Sequence, residues 1–236
     1  MTDQTPVPPA GEPAGTPPPA PGLAAPPPGA GTGPGPAPAY TMVTVFDESV
    51  TMNQLWGIPL IGIWVRVILL IPHAIVLAFY GLLVFFLTWV TWIPVLLNGR
   101  YPTWGYDLVG GFIRWYSRVY AYATLMAAKY PPFSTGGDHD VDVAWDYEQE
   151  VPPWAGIPLI GLFVRWLLLI PHFIVLWALG IVVGLLAFVT WIPVLLYGRY
   201  PAWGYMFVGG YLRWLNRIYS YLLLMTGPYP PFRLED

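Results

Sequence analysis

The feature that most constrains this chain is an internal repeat with an offset of 99 residues. Gly57–Phe133 aligns without a gap with Gly156–Phe232, and 48 of the 77 aligned pairs are identical. Strings such as L-L-I-P-H, V-T-W-I-P-V-L-L, G-R-Y-P and Y-P-P-F recur in both halves. Self-similarity of this kind indicates a duplicated structural unit. We therefore predict a tail at 1–39, a first repeat at 40–137 and a second repeat at 138–236.

The tail differs from the repeats in composition. Residues 1–39 hold 14 of the 29 prolines, and most other positions are Gly, Ala or Thr. Such a segment buries too little apolar surface to offset the entropy lost on ordering, which predicts a disordered region. The tail also lacks the basic and apolar regions of a signal peptide.

Each repeat contains a long apolar block. Apart from Tyr80, the one titratable residue of Val67–Leu97 is His73, and that of Trp166–Leu196 is His172. Each block is longer than the roughly 20 residues that a membrane-spanning helix needs. The whole chain is 56% hydrophobic and 10% charged, against about 25% charged residues in soluble domains. These features predict an integral membrane protein.

The arginines around the second block determine the predicted topology. Short loops rich in Lys and Arg stay in the cytoplasm, and such clusters lie on both sides of this block. An apolar block that enters and leaves on one side must be a hairpin, turning near Gly81 in the first copy and Gly180 in the second. We therefore predict a multi-pass protein of the cytoplasmic membrane with both termini cytoplasmic. One long kinked helix per copy is the alternative.

Two further elements complete each repeat. Alternating apolar and polar residues predict a short strand at Met42–Glu48 and another that begins at Val141, and the two strands could pair. Trp104–Ala128 and Trp203–Gly227 combine aromatic residues with arginines four positions apart, which predicts interfacial amphipathic helices. The expected fold class is an all-α membrane protein with two tandem repeats. Each repeat would hold a short strand, a transmembrane helical hairpin and an interfacial helix.

The order of these motifs resembles a known family. An acidic strand, R-x-x-L-L-I-P-H, an apolar block, G-R-Y-P, R-W-x-x-R and Y-P-P-F follow one another in both copies. This order resembles the bacterial membrane family catalogued as domain of unknown function 4389. The resemblance covers nearly all of 42–236. It implies a membrane location and the boundaries of the repeats, and it implies no activity.

Two sets of polar residues are candidate sites. The first set is expected to bind anionic lipid head groups at the membrane surface: Arg100, Arg114, Arg118, Arg199, Arg213 and Arg217. The second set is a candidate intramembrane polar site: Arg66, His73, Arg165 and His172. The competing interpretation of each histidine is a bond to a backbone carbonyl that the preceding proline leaves free. The competing interpretation of Arg66 and Arg165 is anchoring at the interface.

The sequence predicts no catalytic, cofactor or metal site. Cysteine is absent, and neither apolar block contains a carboxylate. The acidic stretch Asp138–Asp142 follows two glycines, which is typical of solvated charge rather than of a rigid cation site. The ten Lys and Arg residues form no dense basic patch of the kind that binds nucleic acid.

The leading hypothesis is a non-enzymatic, lipid-associated scaffold or accessory subunit that binds anionic membrane lipids. A protein partner or a homo-oligomer is compatible with this role. The alternative is a small transporter or lipid-handling protein that uses the Arg/His face of the two hairpins. A lipid-modifying enzyme is a third hypothesis, and it would need a histidine beside Asp47, Asp107 or Asp146.

Overall fold

The computed structural model describes residues 42–58, 61–147 and 149–235, with the backbone alone for residue 61. The tail predicted to be disordered, 1–39, lies outside these residues. The described part of the chain is mostly helical and contains two copies of one series of elements.

The first copy begins with a strand and continues through a long helix into a run of short helical segments. Its elements are β1 (Met42–Phe46), a 3₁₀ turn (Gln54–Gly57), α1 (Ile61–Asn98), α2 (Thr103–Gly105), a π-helical segment (Tyr106–Gly110) and α3 (Gly111–Ala123).

The second copy repeats this series. Its elements are β2 (Val141–Trp145), a 3₁₀ turn (Pro153–Gly156), α4 (Ile160–Val189), α5 (Trp191–Tyr197), α6 (Ala202–Gly204), a π-helical segment (Tyr205–Gly209) and α7 (Gly210–Leu222). A difference between the copies is that Thr190 separates α4 from α5, whereas α1 continues through the equivalent Thr91.

The predicted hairpin in each copy is wrong, because neither apolar block turns back at its central glycine. Gly81 lies inside α1, and Gly180 lies inside α4. The reason is visible in the packing: Leu70, Leu77 and Val84 are buried at seven-residue intervals on both sides of Gly81. This spacing keeps one helix face toward its neighbours without a break.

The long helices have two unlike faces. The inner face of α1 is a narrow buried stripe that includes Arg66, His73 and Thr91, and the outer face is apolar and exposed. The second copy has the same arrangement around Arg165 and His172. By length and composition, Gly62–Asn98 and Ile160–Tyr197 are each able to cross a bilayer. Exposed side chains of α1 include Trp64, Ile68, Ile75, Phe79, Leu82, Phe86, Trp89 and Leu97.

α3 runs antiparallel along the inner face of α1. Near one end of the contact, Arg66 donates to the carbonyl oxygen of Tyr122, and near the other, the Tyr80 hydroxyl donates to the Leu108 carbonyl. Trp115 and Tyr122 are buried in this contact. The structure therefore buries the aromatic face of this helix inside the molecule, whereas the sequence predicted an amphipathic helix at the membrane interface.

A two-stranded antiparallel sheet covers α3 and α7. β1 pairs with β2 in a register that joins Thr44 to Val143. Beneath the sheet the two helices meet where the Asn216 side-chain amide donates to the Ser117 hydroxyl at 2.9 Å. The same amide donates to the Thr44 hydroxyl at 3.2 Å. The sheet and the two shorter helices thus form one layered contact between the copies.

Each long helix ends against the other copy. α1 ends before Gly99, and α5 ends before Gly198; both glycines have φ of 63°, the left-handed conformation that commonly closes a helix. Each of these glycines begins one of the two G-R-Y-P strings, and the proline of the string cannot continue the helix. The Val151 N–H donates to the Gly99 carbonyl, and the Met52 N–H donates to the Gly198 carbonyl, each at 2.8 Å.

Candidate functional site

Arg66 holds the end of α3. Its Nη1 donates to the carbonyl oxygens of Tyr122 and Ala127, both at 2.8 Å. Its guanidinium also lies 4.2 Å from the ring centre of Tyr122 and 4.8 Å from that of Trp56. Carbonyls at a helix C-terminus lack partners within the helix and carry partial negative charge. A buried cation is therefore well placed there without a carboxylate.

Arg165 repeats this arrangement in the second copy. Its Nη1 donates to the Thr226 carbonyl at 2.9 Å and to the Tyr221 carbonyl. Its guanidinium lies over the rings of Tyr221 and Trp154. Both arginines are fully buried, so the structure does not place them as interfacial anchors.

His73 is enclosed by aromatic side chains. Its Nδ1 accepts a hydrogen bond from Trp115 Nε1 at 3.0 Å, and its ring stacks on Phe133 at a centroid distance of 3.9 Å. The Tyr130 ring lies 5.0 Å away. Because an indole N–H can only donate, Nδ1 must be unprotonated. His73 Nε2 is buried and has no partner among the described residues, so the expected bond to a carbonyl is not formed.

His172 has the same surroundings. Trp214 Nε1 donates to its Nδ1 at 2.9 Å, and Phe232 stacks on its ring at 3.8 Å. The Y-P-P-F strings thus supply one wall of each histidine site, and the R-W strings supply the hydrogen-bond donor. Neither role was predicted from the sequence. The available signal was that the I-P-H, R-W and Y-P-P-F strings recur together in both copies at constant spacing.

Arg118 and Arg217 are also internal. Arg118 is buried and donates from Nη1 to the Gly136 carbonyl and from Nη2 to the Gly137 carbonyl, at 2.8 and 3.0 Å. Burial lowers the pKa of its guanidinium, and the charge of Asp142, 3.5 Å away, opposes that shift. Arg217 donates to the carbonyls of Glu235 and Arg233. Neither arginine is exposed to lipid head groups.

Arg114 and Arg213 face the sheet. Arg114 Nε donates to the Val143 carbonyl at 2.7 Å, and its guanidinium lies over the Trp145 ring. Arg213 Nε donates to the Thr44 carbonyl at 3.3 Å and lies over the Phe46 ring. Both side chains are partly buried, and their donors are directed at backbone oxygens of the strands.

Arg100 and Arg199 differ from the other predicted arginines. Both are exposed, and neither guanidinium has a bonding partner among the described residues. Each follows the glycine that ends a long helix, beside an exposed apolar residue, Leu97 in one copy and Leu196 in the other. They are therefore cations at the border of the apolar outer face.

The two exposed arginines have unequal surroundings. Arg100 forms a backbone bridge with Glu150, and both line an open groove of about 840 Å³. Arg199 bridges instead to Thr51, the residue equivalent to Glu150. An anion at Arg100 thus meets the carboxylate of Glu150, whereas the equivalent position beside Arg199 is the uncharged Thr51.

The contacts described for the predicted residues are mainly with backbone carbonyls and aromatic rings, and not with the acid, base or nucleophile groups of a catalytic site. Within the described part of the chain, no group of three or more His, Asp or Glu side chains is arranged to hold a metal ion. The candidate set therefore divides into eight residues with internal contacts and two exposed arginines.

Comparison with known proteins agrees with the repeat. The family described as Domain of unknown function (DUF4389) matches residues 61–135 and again 160–233. No curated protein and no solved structure matches the chain. Because the two matched regions cover more than half of its residues, the chain belongs to the DUF4389 family, in two tandem copies.

Proposed function

We propose that this protein is a non-enzymatic, lipid-associated scaffold or accessory subunit of the cell membrane. The observation that carries the proposal is the absence of charge on the exposed faces of Gly62–Asn98 and Ile160–Tyr197. The titratable residues of these described helices, other than tyrosine, are Arg66, His73, Arg165 and His172, and all four are buried.

The size of this apolar surface supports a lipid partner. Soluble monomers rarely expose a contiguous apolar patch larger than a few hundred Å². Here most of the length of two helices, 37 and 38 residues, presents large aliphatic and aromatic side chains. Transfer of these side chains from water into hydrocarbon is favourable by about 25 cal/mol for each Å² of apolar surface removed from water.

The proposed location is the cytoplasmic membrane, with both termini in the cytoplasm. Two apolar helices leave the two ends of the chain on one side if each crosses the bilayer, and also if neither crosses. Lys and Arg residues are characteristic of the cytoplasmic side, and Arg100 and Arg199 are exposed next to the apolar faces.

Anionic lipid head groups are the proposed ligands of Arg100 and Arg199. Each basic side chain close to an anionic membrane surface contributes about 1 kcal/mol, or roughly fivefold in affinity. We expect Arg199 to contribute more than Arg100, because Glu150 lies in the groove beside Arg100 and repels an anion.

The test is retention of phosphatidylglycerol relative to phosphatidylcholine on the detergent-purified protein. An Arg100→Gln/Arg199→Gln variant should lose most of the preference for phosphatidylglycerol, and Arg199→Gln should lose more than Arg100→Gln. The wild-type preference should also fade as salt rises, because the Debye length is about 8 Å at 0.15 M.

The matched control removes the same charge elsewhere. Lys129 and Arg233 are exposed and lie outside the long helices, so Lys129→Gln/Arg233→Gln should retain the preference. Equal retention by wild type and the Arg100/Arg199 variant at every salt concentration would refute the proposed ligand role.

The transporter hypothesis has no supporting observation. Arg66 is bonded to carbonyls, and His73 is bonded to Trp115 and stacked on Phe133. A substrate at this face would have to displace all of these contacts.

A further inference from the structure

The two copies are related by an internal twofold axis whose position can be read from self-paired residues. Thr44 pairs with Val143 in the sheet, and Ser117 bonds to Asn216 between α3 and α7. Each pair joins one position of the repeat to its own equivalent 99 residues later. The axis therefore runs from the sheet through the contact of α3 with α7.

The long helices run in opposite directions across this axis. A Cβ added to Gly57, just before α1, would lie 2.3 Å from the Leu195 backbone nitrogen in α5. A Cβ added to Gly156, just before α4, would lie 2.4 Å from the Leu96 nitrogen in α1. The beginning of each long helix thus lies beside the end of the other.

The sheet lies beside the long helices and not beyond their ends. Trp115 donates to His73 on α1, while the adjacent Arg114 donates to the Val143 carbonyl at the centre of β2. The centre of the sheet is therefore level with His73. Twelve residues of α1 precede His73 and 25 follow it, or about 18 and 37 Å of helix.

Charged side chains lie at the same level. The Tyr130 hydroxyl donates to the Leu69 carbonyl on α1. Its neighbour Lys129 is 51% exposed and pairs with Asp138, which is 91% exposed. On the sheet, Asp142 is 59% exposed. The polar and apolar surfaces are thus separated across the long helices rather than along them.

This arrangement is incompatible with helices that cross the bilayer. If α1 crossed a hydrocarbon core about 30 Å thick with its midpoint at the centre, His73 would lie about 10 Å from the midplane. Asp142 and the open sheet edges would then face hydrocarbon, where unpaired backbone groups are not tolerated. If the molecule moved along the axis of α1 until the sheet left the hydrocarbon, the C-terminal half of α1 could stay in the bilayer. The C-terminal half of the antiparallel α4, which is equally apolar, would then lie in water.

We infer that α1 and α4 lie parallel to the membrane plane, with their outer faces in a single leaflet of a phospholipid bilayer. The internal twofold axis is then parallel to the membrane normal, and the sheet with its charged residues faces water. Arg100 and Arg199, related by this axis, reach the same layer of phosphates. This inference rests on the proposed membrane attachment and replaces the multi-pass topology with one that does not cross.

Cysteine labelling tests the orientation in this cysteine-free chain. Ser49 and Tyr197 lie near one end of the paired helices, and Asn98 lies at the other; all three are exposed. Single Ser49→Cys, Tyr197→Cys and Asn98→Cys variants are treated with a membrane-impermeant maleimide, before and after cell lysis. We expect all three to react only after lysis.

Ser49→Cys and Tyr197→Cys are the internal control, since they must label from one side in either orientation. Labelling of Asn98→Cys in intact cells, with the other two protected, would overturn the in-plane orientation and leave membrane attachment intact. Failure of the wild type to sediment with membranes would instead refute the proposed attachment, and this inference with it.

A depth measurement provides an independent readout. Phe79 at mid-helix and Leu97 near the end of α1 are 72% and 74% exposed, so spin labels on Phe79→Cys and Leu97→Cys should not disturb the fold. If the helices lie in the membrane plane, the two spin labels should lie at the same depth in the bilayer to within about 5 Å, because interfacial helices insert only shallowly. A depth difference of about 15 Å or more would overturn the inference.

Discussion

The inner and outer faces of α1 can be compared residue by residue. The inner face carries Arg66 and His73, fully buried, whereas Ile75, Phe79 and Leu82 on the outer face are exposed. A helix of a soluble protein has the opposite distribution. The comparison shows that the polar residues of this helix stabilise the protein interior, while its apolar residues supply the surface for a partner.

The largest effect is expected on the inner face. Arg66→Met keeps an unbranched apolar side chain but removes the Nη1 donor to the Tyr122 and Ala127 carbonyls. The Tyr122 carbonyl keeps the Leu125 N–H at 3.3 Å, so the Ala127 carbonyl loses the most. A buried acceptor left unsatisfied costs about 1–3 kcal/mol, and the contacts of the guanidinium with the Trp56 and Tyr122 rings are lost as well. We therefore expect a loss of about 3 kcal/mol in the free energy of unfolding. Thermal unfolding in detergent, followed by circular dichroism, measures it.

The control for this variant is Arg100→Met, which removes an exposed arginine of the same copy. It should change the free energy of unfolding by less than about 0.5 kcal/mol. Similar losses in the two variants would show that Arg66 does not act through the carbonyls of α3.

The next effect concerns the outer face. Phe79→Lys places a charge where the side chain now meets the proposed lipid surface, and we expect membrane partitioning to weaken by about 2 kcal/mol. Phe79→Leu should partition like the wild type. Flotation of each variant with liposomes measures the partitioning.

Phe79→Lys also distinguishes the effect of the outer face on membrane binding from the effect of the inner face on stability. Its unfolding transition in detergent should stay close to that of the wild type, because Phe79 is exposed. A large loss of stability together with unchanged flotation would mean that the assignment of the two faces is reversed.

The smallest effect is expected from a single hydrogen bond inside the inner face. Trp115→Phe removes the donor to His73 Nδ1 but keeps an aromatic ring, which should cost about 1 kcal/mol of unfolding free energy. Trp214→Phe should cost the same in the second copy, since Trp214 donates to His172 in the same way. The exposed Trp104 provides the control, and Trp104→Phe should leave the unfolding transition unchanged.

Several features of the fold could be predicted from the sequence because they depend on local pattern. The duplication follows from the identity between the copies. Glycine followed by Arg and Tyr-Pro is typical of a helix end, and Gly99 and Gly198 adopt the left-handed conformation there. The hairpin prediction failed because the positions of the arginines carry no information on where a helix turns. The seven-residue spacing of Leu70, Leu77 and Val84, all buried, instead indicates one continuous helix face.

The candidate site was harder to predict for a physical reason. Arg66 bonds to carbonyls 56 and 61 residues away, and every residue has a carbonyl, so its partners carry no signature of residue type. Arg118 is similar, since it bonds to the carbonyls of Gly136 and Gly137. The sequence therefore identifies the arginines but cannot distinguish those with internal contacts from the exposed Arg100 and Arg199.

The reciprocal closure of the helix ends has a consequence for chains that carry one unit alone. Val151 from the second copy completes the end of α1 at Gly99, and Met52 from the first copy completes the end of α5 at Gly198. In a chain with a single unit, the carbonyl at the end of the long helix and the N–H before that helix would both lack these hydrogen-bond partners. Pairing with an identical chain around a true twofold axis would close both at once, so the duplication amounts to a homodimer joined into one polypeptide.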